Sequence, residues 1–342
     1  MLLTYMTRKA DERARKILIV TYHRFELWIA PLWISAKLEE EFREFSVVQR
    51  NTFENLEEYI TDVEIMFTVS LHPEQFLAAK KLRWIHSQSA AVNQFMFPEL
   101  VESDVILTNA REVHGRVVAE LVIAMILALA KQLPTAFRFQ QQHVWGQDAM
   151  SRGSTCSRDI LGATLGLVGL GSIGLHVAQY ASALGMRVIA VREHVDREKP
   201  PGVDEVLPSS KLLDLLDQSD YVVLSAPLTP ETTRMIDREQ LAAMKPDAWL
   251  INVGRGPLIN EAALIEALRK RRIGGAALDV FNEEPLPPDS PLWDMDNVLI
   301  TPHTGGVSQK MWERQYVLFA ENLRRYLSGR PLLGLVNKQR GY

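Results

Sequence analysis

Thr164-Leu-Gly-Leu-Val-Gly169-Leu-Gly171-Ser-Ile-Gly174 is a short apolar strand running into Gly-x-Gly-x-x-Gly. An amphipathic helix is expected next, over Leu175–Leu184, and then a second strand, Arg187–Val191. A bare glycine motif often marks a mere turn. Strand, glycines, helix and second strand together are the context that a dinucleotide pyrophosphate requires. Gly169 permits the tight turn, Gly171 lets backbone approach the phosphates, and Gly174 allows close helix–strand packing. The helix N-terminus adds free N–H groups and a partial positive charge, and Ser172 and Ile173 sit on it.

The residue closing the second strand bears on the cofactor. NAD-binding folds usually place Asp or Glu about 20 residues beyond the glycines, on the ribose 2′-hydroxyl. Here Arg192 holds that position. A guanidinium suits the 2′-phosphate of NADP by charge and by bidentate geometry. Glu193 follows and could itself take the ribose or neutralise Arg192. NADP is therefore favoured and NAD stays open.

Downstream, three apolar runs stop in polar residues: Leu250-Ile-Asn-Val-Gly-Arg255, Leu278-Asp-Val-Phe-Asn-Glu-Glu284 and Leu299-Ile-Thr-Pro-His303. If they are neighbouring parallel strands, their ends open on one sheet edge, where ligands of open α/β sheets bind. Arg255, Glu284 and His303 then supply a planar cation, a carboxylate and an imidazole. Such a set suits a small carboxylate substrate whose neighbouring oxygen gains or loses a proton.

The chain has 342 residues, long enough for two domains, and a net charge of −4, which gives no basic footprint for nucleic acid or an anionic membrane. Cys156 is the single cysteine, so no intrachain disulfide can form and a cytoplasmic setting is expected. It lies in a polar stretch and reads as a bystander. Met1–Met6 is too short for a signal core, and Arg8–Lys16 is heavily charged. The longest apolar run, Leu121–Ala130, falls short of a membrane span and reads as part of a buried helix from about Val117 to Leu133. No metal-ligand spacing appears.

Further strands are expected at Lys16–Thr21, Val63–Val69, Val105–Thr108, Tyr221–Ser225, Ala248–Val253, Ala276–Val280 and Val298–Ile300. Helices at Pro73–Leu82 and Glu261–Arg271 lie between strands. This alternation implies parallel sheets. The expected architecture is α/β, with a dinucleotide-binding domain at 111–304 and a substrate domain at 1–110 and 305–342. A last helix, Gln309–Leu327, ends at Ser328-Gly329 and would carry the chain back to the first domain, placing the cleft between domains.

These motifs, with Thr108-Asn-Ala, Ala226-Pro-Leu-Thr-Pro-Glu-Thr232 and Thr301-Pro-His-Thr-Gly-Gly306, resemble the D-isomer-specific 2-hydroxyacid dehydrogenases, most strongly over Trp84–Tyr342. The family includes glyoxylate/hydroxypyruvate reductases and D-lactate dehydrogenases, and the resemblance implies two Rossmann-like domains with parallel sheets, the dinucleotide-binding domain inserted into a flavodoxin-like substrate domain built from both chain ends. The resemblance implies hydride transfer between a nicotinamide and a small 2-keto or 2-hydroxy acid. It makes Arg255 the substrate-binding arginine, His303 the proton donor and Glu284 the partner of His303, with Glu283 the competing candidate. It places Asp279 at the nicotinamide carboxamide and Val253, Gly254 and Gly305 around the ring. Ser172 and Ile173 become backbone phosphate contacts. Pro227 and Thr232 fall beside the adenosine half, where turn geometry explains them equally well.

One departure concerns the substrate loop. The family pattern resembles Ser-Ala-Gly-Val-Asp, but this chain has Ser89-Ala90-Ala91-Val92-Asn93. Its backbone N–H groups normally receive the substrate carboxylate. Ala91 disfavours positive φ and adds a methyl group. The stretch Phe137–Gly146 matches a region that forms an arm around a partner subunit in this family, so a homodimer is expected, and Trp145 could reach the partner's active site. Two other functions share the fold. Dinucleotide-sensing corepressors keep the Arg, Glu and His. Formate dehydrogenases put Gln where Glu284 stands.

Overall fold

A computed structural model describes residues 15–22, 25–193 and 198–341. Met1–Met6 and all of Arg8–Lys16 except its last two residues lie outside them. Two compact units form, Met1–Val113 with Gln309–Tyr342, and His114–Ser308. The divisions at 110/111 and 304/305 expected from sequence lie a few residues earlier.

The first unit holds β1 (Arg15–Val20), β2 (Phe45–Arg50), β3 (Ile65–Thr68), β4 (Trp84–Ser87) and β5 (Ile106–Asn109). They form a parallel sheet in the order β2-β1-β3-β4-β5. Both faces are covered. Leu18, Val20, Met66, Ile85 and Leu107 pack on one side with Leu56, Ile60 and Leu100. Ile17, Ile19, Phe67 and Trp84 pack on the other with Ile34, Leu38, Phe319 and Leu323. The last two lie on the helix Met311–Leu327, so the end of the chain does return to the first sheet. That helix stops at Gly329, whose φ of 66° suits glycine at a helix end.

The second unit continues with β6 (Thr164–Val168), β7 (Arg187–Arg192), β8 (Glu205–Pro208), β9 (Tyr221–Leu224), β10 (Trp249–Asn252), β11 (Gly275–Leu278) and β12 (Val298–Ile300). They form a seven-stranded parallel sheet in the order β12-β11-β10-β9-β6-β7-β8. Alternate residues feed opposite layers, as Val222 and Leu224 join one core while Tyr221 and Val223 join the other. Burial on both faces explains why these strands read as continuous apolar runs. The sheet order reverses between β6 and β9, so the crevice for a ligand lies at their carboxyl ends.

The helix Arg111–Ala130 is long and apolar enough to cross a membrane by composition, but 56% of its most apolar window is buried inside the protein. Its Val118, Val122, Met125, Ile126 and Leu129 pack on the second sheet. It ends earlier than the expected Leu133. Gln132 takes a left-handed φ of 55°, and Pro134 near the start of the next helix, Leu133–Gln141, cannot continue the hydrogen-bond ladder.

Candidate active site

The glycine-rich turn is built from backbone. Gly169 has φ 101°, and a Cβ there would lie 2.8 Å from the Ala226 nitrogen and 2.9 Å from its Cα. The loops after β6 and β9 therefore touch at this glycine. A Cβ on Gly174 would lie 2.2 Å from the Gly169 carbonyl oxygen, and Ser225 Oγ donates to that oxygen at 3.0 Å. The helix begins at Ser172, three residues before the expected start, with Gly171 as its cap. Ser172 and Ile173 thus lie in its first turn.

Gly171 differs from its neighbours. Its φ is −84°, and an added Cβ would meet no atom of the described residues within 4 Å beyond its chain neighbours. Among the described residues nothing requires glycine there. The space left open faces a helix N-terminus that carries no side-chain cap, which fits a dinucleotide pyrophosphate.

Arg192 closes β7 partly buried, and its Nη2 donates to the Glu198 carbonyl at 3.2 Å. Glu193 is exposed. Residues 198–203, which follow, line a surface hollow of about 590 Å³. Thr232 Oγ1 donates to the Pro227 carbonyl at 2.7 Å and accepts from the Thr229 N–H at 2.8 Å. These bonds favour turn geometry as the reason for Pro227 and Thr232.

The three strand endings lie side by side. β10, β11 and β12 are parallel neighbours, with Asn252 opposite Leu278 and Leu278 opposite Ile300. Arg255, Asp279, Glu284 and His303 all follow these carboxyl ends. Asn252 fixes the first turn, its Nδ2 donating to the Arg255 carbonyl at 2.9 Å and its Oδ1 accepting from the Gly254 N–H at 3.1 Å. Arg255 Nη1 donates to the Gly254 carbonyl at 2.6 Å. Burial pulls the Arg255 guanidinium below its ordinary pKa, and the charge of Glu284 opposes that shift. Gly254 is held close to Ala226 and Leu258, and Val253 is buried.

His303 and Glu284 meet. His303 Nδ1 lies 2.5 Å from Glu284 Oε2, while Glu284 Oε1 accepts from the Phe281 N–H at 3.0 Å. Burial raises the Glu284 carboxyl, but the His303 and Phe281 hydrogen bonds and the charges of His303 and Arg255 outweigh it and hold the group below the usual carboxylate range. An ionised Glu284 accepts from Nδ1–H and leaves Nε2 as the ring nitrogen that Glu284 does not engage. Of the two adjacent acids, Glu284 is the one that makes this contact.

Asp279 organises the loop that carries His303. It is 3% exposed, and its Oδ1 accepts from Thr301 Oγ1 at 2.5 Å and the Thr304 N–H at 3.0 Å, while Oδ2 accepts from the Gly305 N–H at 3.0 Å. Its carbonyl accepts from the His303 N–H at 2.9 Å. His303 itself takes φ 53°, an uncommon conformation for a residue with a side chain. Gly305 passes so close that a Cβ would lie 2.7 Å from Asp279 Oδ2. His114, absent from the sequence reading, pairs its Nδ1 with the Gly306 carbonyl at 3.2 Å. Its only sequence signal is a polar residue early in an apolar helix.

In the first unit, Asn109 Nδ2 donates to the Ala90 carbonyl at 2.6 Å, and the Ala110 N–H donates to the Ser89 carbonyl at 3.1 Å. Ala91 is not among the residues with positive φ, so this loop forms without a glycine there. Trp145 is 89% exposed, with its Nε1 donating to Gln147.

A family model described as D-isomer specific 2-hydroxyacid dehydrogenase, NAD binding domain, matches residues 123–305. A glyoxylate reductase of Korarchaeum cryptofilum is 36% identical over 277 residues, covering 80% of this chain and 82% of that protein. The structure of a D-isomer specific 2-hydroxyacid dehydrogenase from Xanthobacter autotrophicus in complex with NADPH and MES is similar at a TM-score of 0.81, with 29% identity over 96% of this chain and 100% of that one. A D-lactate dehydrogenase from Aquifex aeolicus complexed with NAD and lactic acid gives 0.74, with 25% identity over 92% and 96%.

This chain belongs to the D-isomer specific 2-hydroxyacid dehydrogenase family. It is an NAD(P)-dependent oxidoreductase acting on the CH–OH group of its donors, and the sensor reading of the same fold is not favoured.

Proposed function

We propose that the chain reduces a small 2-keto acid to the D-2-hydroxy acid, or runs the reverse oxidation, with Arg255, Glu284 and His303 as catalytic residues. The observation that carries this reading is the Glu284–His303 contact at 2.5 Å beside the partly buried Arg255. When bound, the nicotinamide supplies or accepts the hydride at the substrate carbon. Arg255 holds the substrate carboxylate and polarises the adjacent carbonyl oxygen. His303 gives its Nε2 proton to that oxygen, and Glu284 holds the ring by Nδ1. The N–H groups of Ala90 and Ala91 are assigned to the carboxylate as well. A Gln at position 284 would mark an enzyme with no proton to deliver, and this chain has Glu.

The cofactor residues fall in three groups. Gly169, Gly171, Ser172, Ile173 and Gly174 receive the pyrophosphate on backbone. Val253, Gly254, Asp279 and Gly305 flank the nicotinamide. Arg192 takes the 2′-phosphate, which makes NADP the preferred cofactor. The position of Arg192, a partly buried residue at the end of β7, supports this, and the neighbouring structures with NADPH and with NAD leave both cofactors within the family's range. The exposed apolar side chains of Phe137, Val144 and Trp145 support a homodimer built on this arm.

Turnover of 2-keto acids with purified protein tests the assignment. Arg255→Ala should abolish turnover while dinucleotide binding survives, and equal turnover in both proteins would sink it. Arg192→Ala should raise the Michaelis constant for NADPH about tenfold or more relative to that for NADH, on the scale of a lost charged hydrogen bond. An unchanged ratio removes Arg192 from the 2′-phosphate.

A further inference from the structure

We propose that Asn109 is a positioning residue of the substrate loop Ser89–Asn93. Its side chain, together with the Ala110 N–H, holds two carbonyls of that loop and thereby aims the N–H groups of Ala90 and Ala91 at the substrate carboxylate. The inference rests on the dehydrogenase reading above and adds to it the group that sets the carboxylate site. It also gives a task to the motif Thr108-Asn-Ala at the end of β5. There β4 and β5 are parallel neighbours, with Ser87 opposite Asn109.

All three residues of the motif bond to β4 or to the loop that follows it. Thr108 Oγ1 accepts from Trp84 Nε1 at 2.8 Å and lies 2.8 Å from His86 Nδ1. Asn109 is 3% exposed, and its Nδ2 donates to the Ala90 carbonyl at 2.6 Å. Its Oδ1 accepts from the Arg111 N–H at 3.4 Å, which fixes the end of the amide that faces the loop. The Ala110 N–H donates to the Ser89 carbonyl at 3.1 Å. Asn109 is itself held through its backbone, its N–H donating to the Gly334 carbonyl at 2.9 Å.

The peptide plane converts these bonds into a direction. Both peptides are trans, so the C=O of one residue and the N–H of the next point opposite ways. A Ser89 carbonyl turned toward Ala110 sends the Ala90 N–H away from it. An Ala90 carbonyl turned toward Asn109 does the same for the Ala91 N–H. The Ser89 N–H goes to Ser87 Oγ at 3.2 Å, whereas among the described residues no group accepts from the Ala90 or Ala91 N–H. Two successive N–H groups directed away from the protein's own acceptors suit an anion. The Ala90 carbonyl needs a donor at position 109. A carboxylate there has no hydrogen to give and repels that carbonyl, turning the Ala91 N–H with it.

The test measures KM and kcat for glyoxylate and pyruvate in wild type, Asn109→Asp and Asn109→Ala. It adds the inhibition constant of oxamate, an unreactive isostere of pyruvate, with NADPH affinity and the urea midpoint read alongside. Asn109→Asp should raise KM and the oxamate constant about tenfold or more, and Asn109→Ala by a smaller factor, the scale of a hydrogen bond repelled and of one lost. The value of kcat should stay within about threefold and NADPH affinity should hold, the pattern of lost binding that ground and transition state share. Asn109→Ala carries the test if Asn109→Asp fails to fold. An unchanged KM and oxamate constant in a folded variant would overturn the inference and leave the dehydrogenase reading standing. A fall in kcat with KM unchanged would overturn it too. So would a loss of NADPH affinity and urea midpoint in step with KM, which would make Asn109 a general support of the fold. Absence of turnover with every keto acid in wild-type protein would overturn both.

Discussion

Two loops of the second unit reach the same end by opposite means. The turn at Gly169–Gly174 is shaped by missing side chains, because Cβ atoms at Gly169 and Gly174 would strike backbone at 2.8 and 2.2 Å. The turn at Thr301–Gly305 is shaped by one side chain, the Asp279 carboxylate, which accepts three hydrogen bonds from it. The first leaves a helix N-terminus with no side-chain cap, a geometry that suits an anion. The second forces His303 to φ 53° and sets its ring against Glu284. Backbone alone suffices where the ligand is a phosphate. A directed ring needs a directed hydrogen-bond partner.

The largest effect should come from Gly169→Ala. Its φ of 101° is hostile to any Cβ, and the clash with Ala226 adds to the strain. A loss of about 3 kcal/mol or more is expected in urea denaturation. Gly171→Ala is the contrasting change. With no atom of the described residues within 4 Å beyond its chain neighbours, stability should move by less than about 1 kcal/mol, while the dissociation constant for NADPH, read by fluorescence titration, should rise about tenfold or more. Equal destabilisation by both changes would break the distinction between internal and ligand-facing glycines.

Asp279→Asn comes next. An amide turns one acceptor into a donor facing an N–H or a hydroxyl, and about 1–3 kcal/mol of loop stability should be lost. The fall should appear in kcat, through a displaced His303, more than in stability of the whole protein. A variant with wild-type kcat would mean that the carboxylate does not set the ring.

A pH-dependent contrast lies in the first unit, far in character from either loop. His86 is fully buried between Phe67, Trp84 and Phe319, with Nδ1 2.8 Å from Thr108 Oγ1. Burial pushes it down to about 3 from an ordinary 6.5. The unfolded chain takes up this proton below 6.5 and the folded chain does not, so stability is complete above pH 6.5 and falls as pH drops toward 3. The slope should approach about 1.4 kcal/mol per pH unit in that window. His86→Gln should flatten the dependence between pH 6 and 4, and an identical slope in both proteins would assign it to other groups.

Much of this was legible in the sequence because both faces of each sheet are buried. Strands such as Tyr221–Leu224 and Leu250–Asn252 then read as apolar runs, and their polar endings mark the site. The strands that escaped were Phe45–Arg50, Trp84–Ser87 and Glu205–Pro208. The first and last are edge strands with polar residues and a proline, and the second spends two of its four positions on His86 and Ser87. Glu284 and His303 were singled out through their strand endings and the family motif, and their side chains meet. The loop clamps at Asp279, Asn252 and His114 were not, because a hydrogen bond to backbone leaves no pattern in sequence. Ala91 in place of glycine proved harmless to the backbone, since its φ is not positive.

The most direct test of the central claim is NADPH and NADH consumption with a panel of 2-keto acids by wild type and His303→Asn, each first checked for dinucleotide binding. The account predicts turnover by wild type and a fall of about 10²–10⁴ in kcat for the variant, the range of a lost general acid, with dinucleotide affinity retained. Wild-type turnover in His303→Asn would contradict it, as would a wild-type protein that binds dinucleotide and reduces no 2-keto acid.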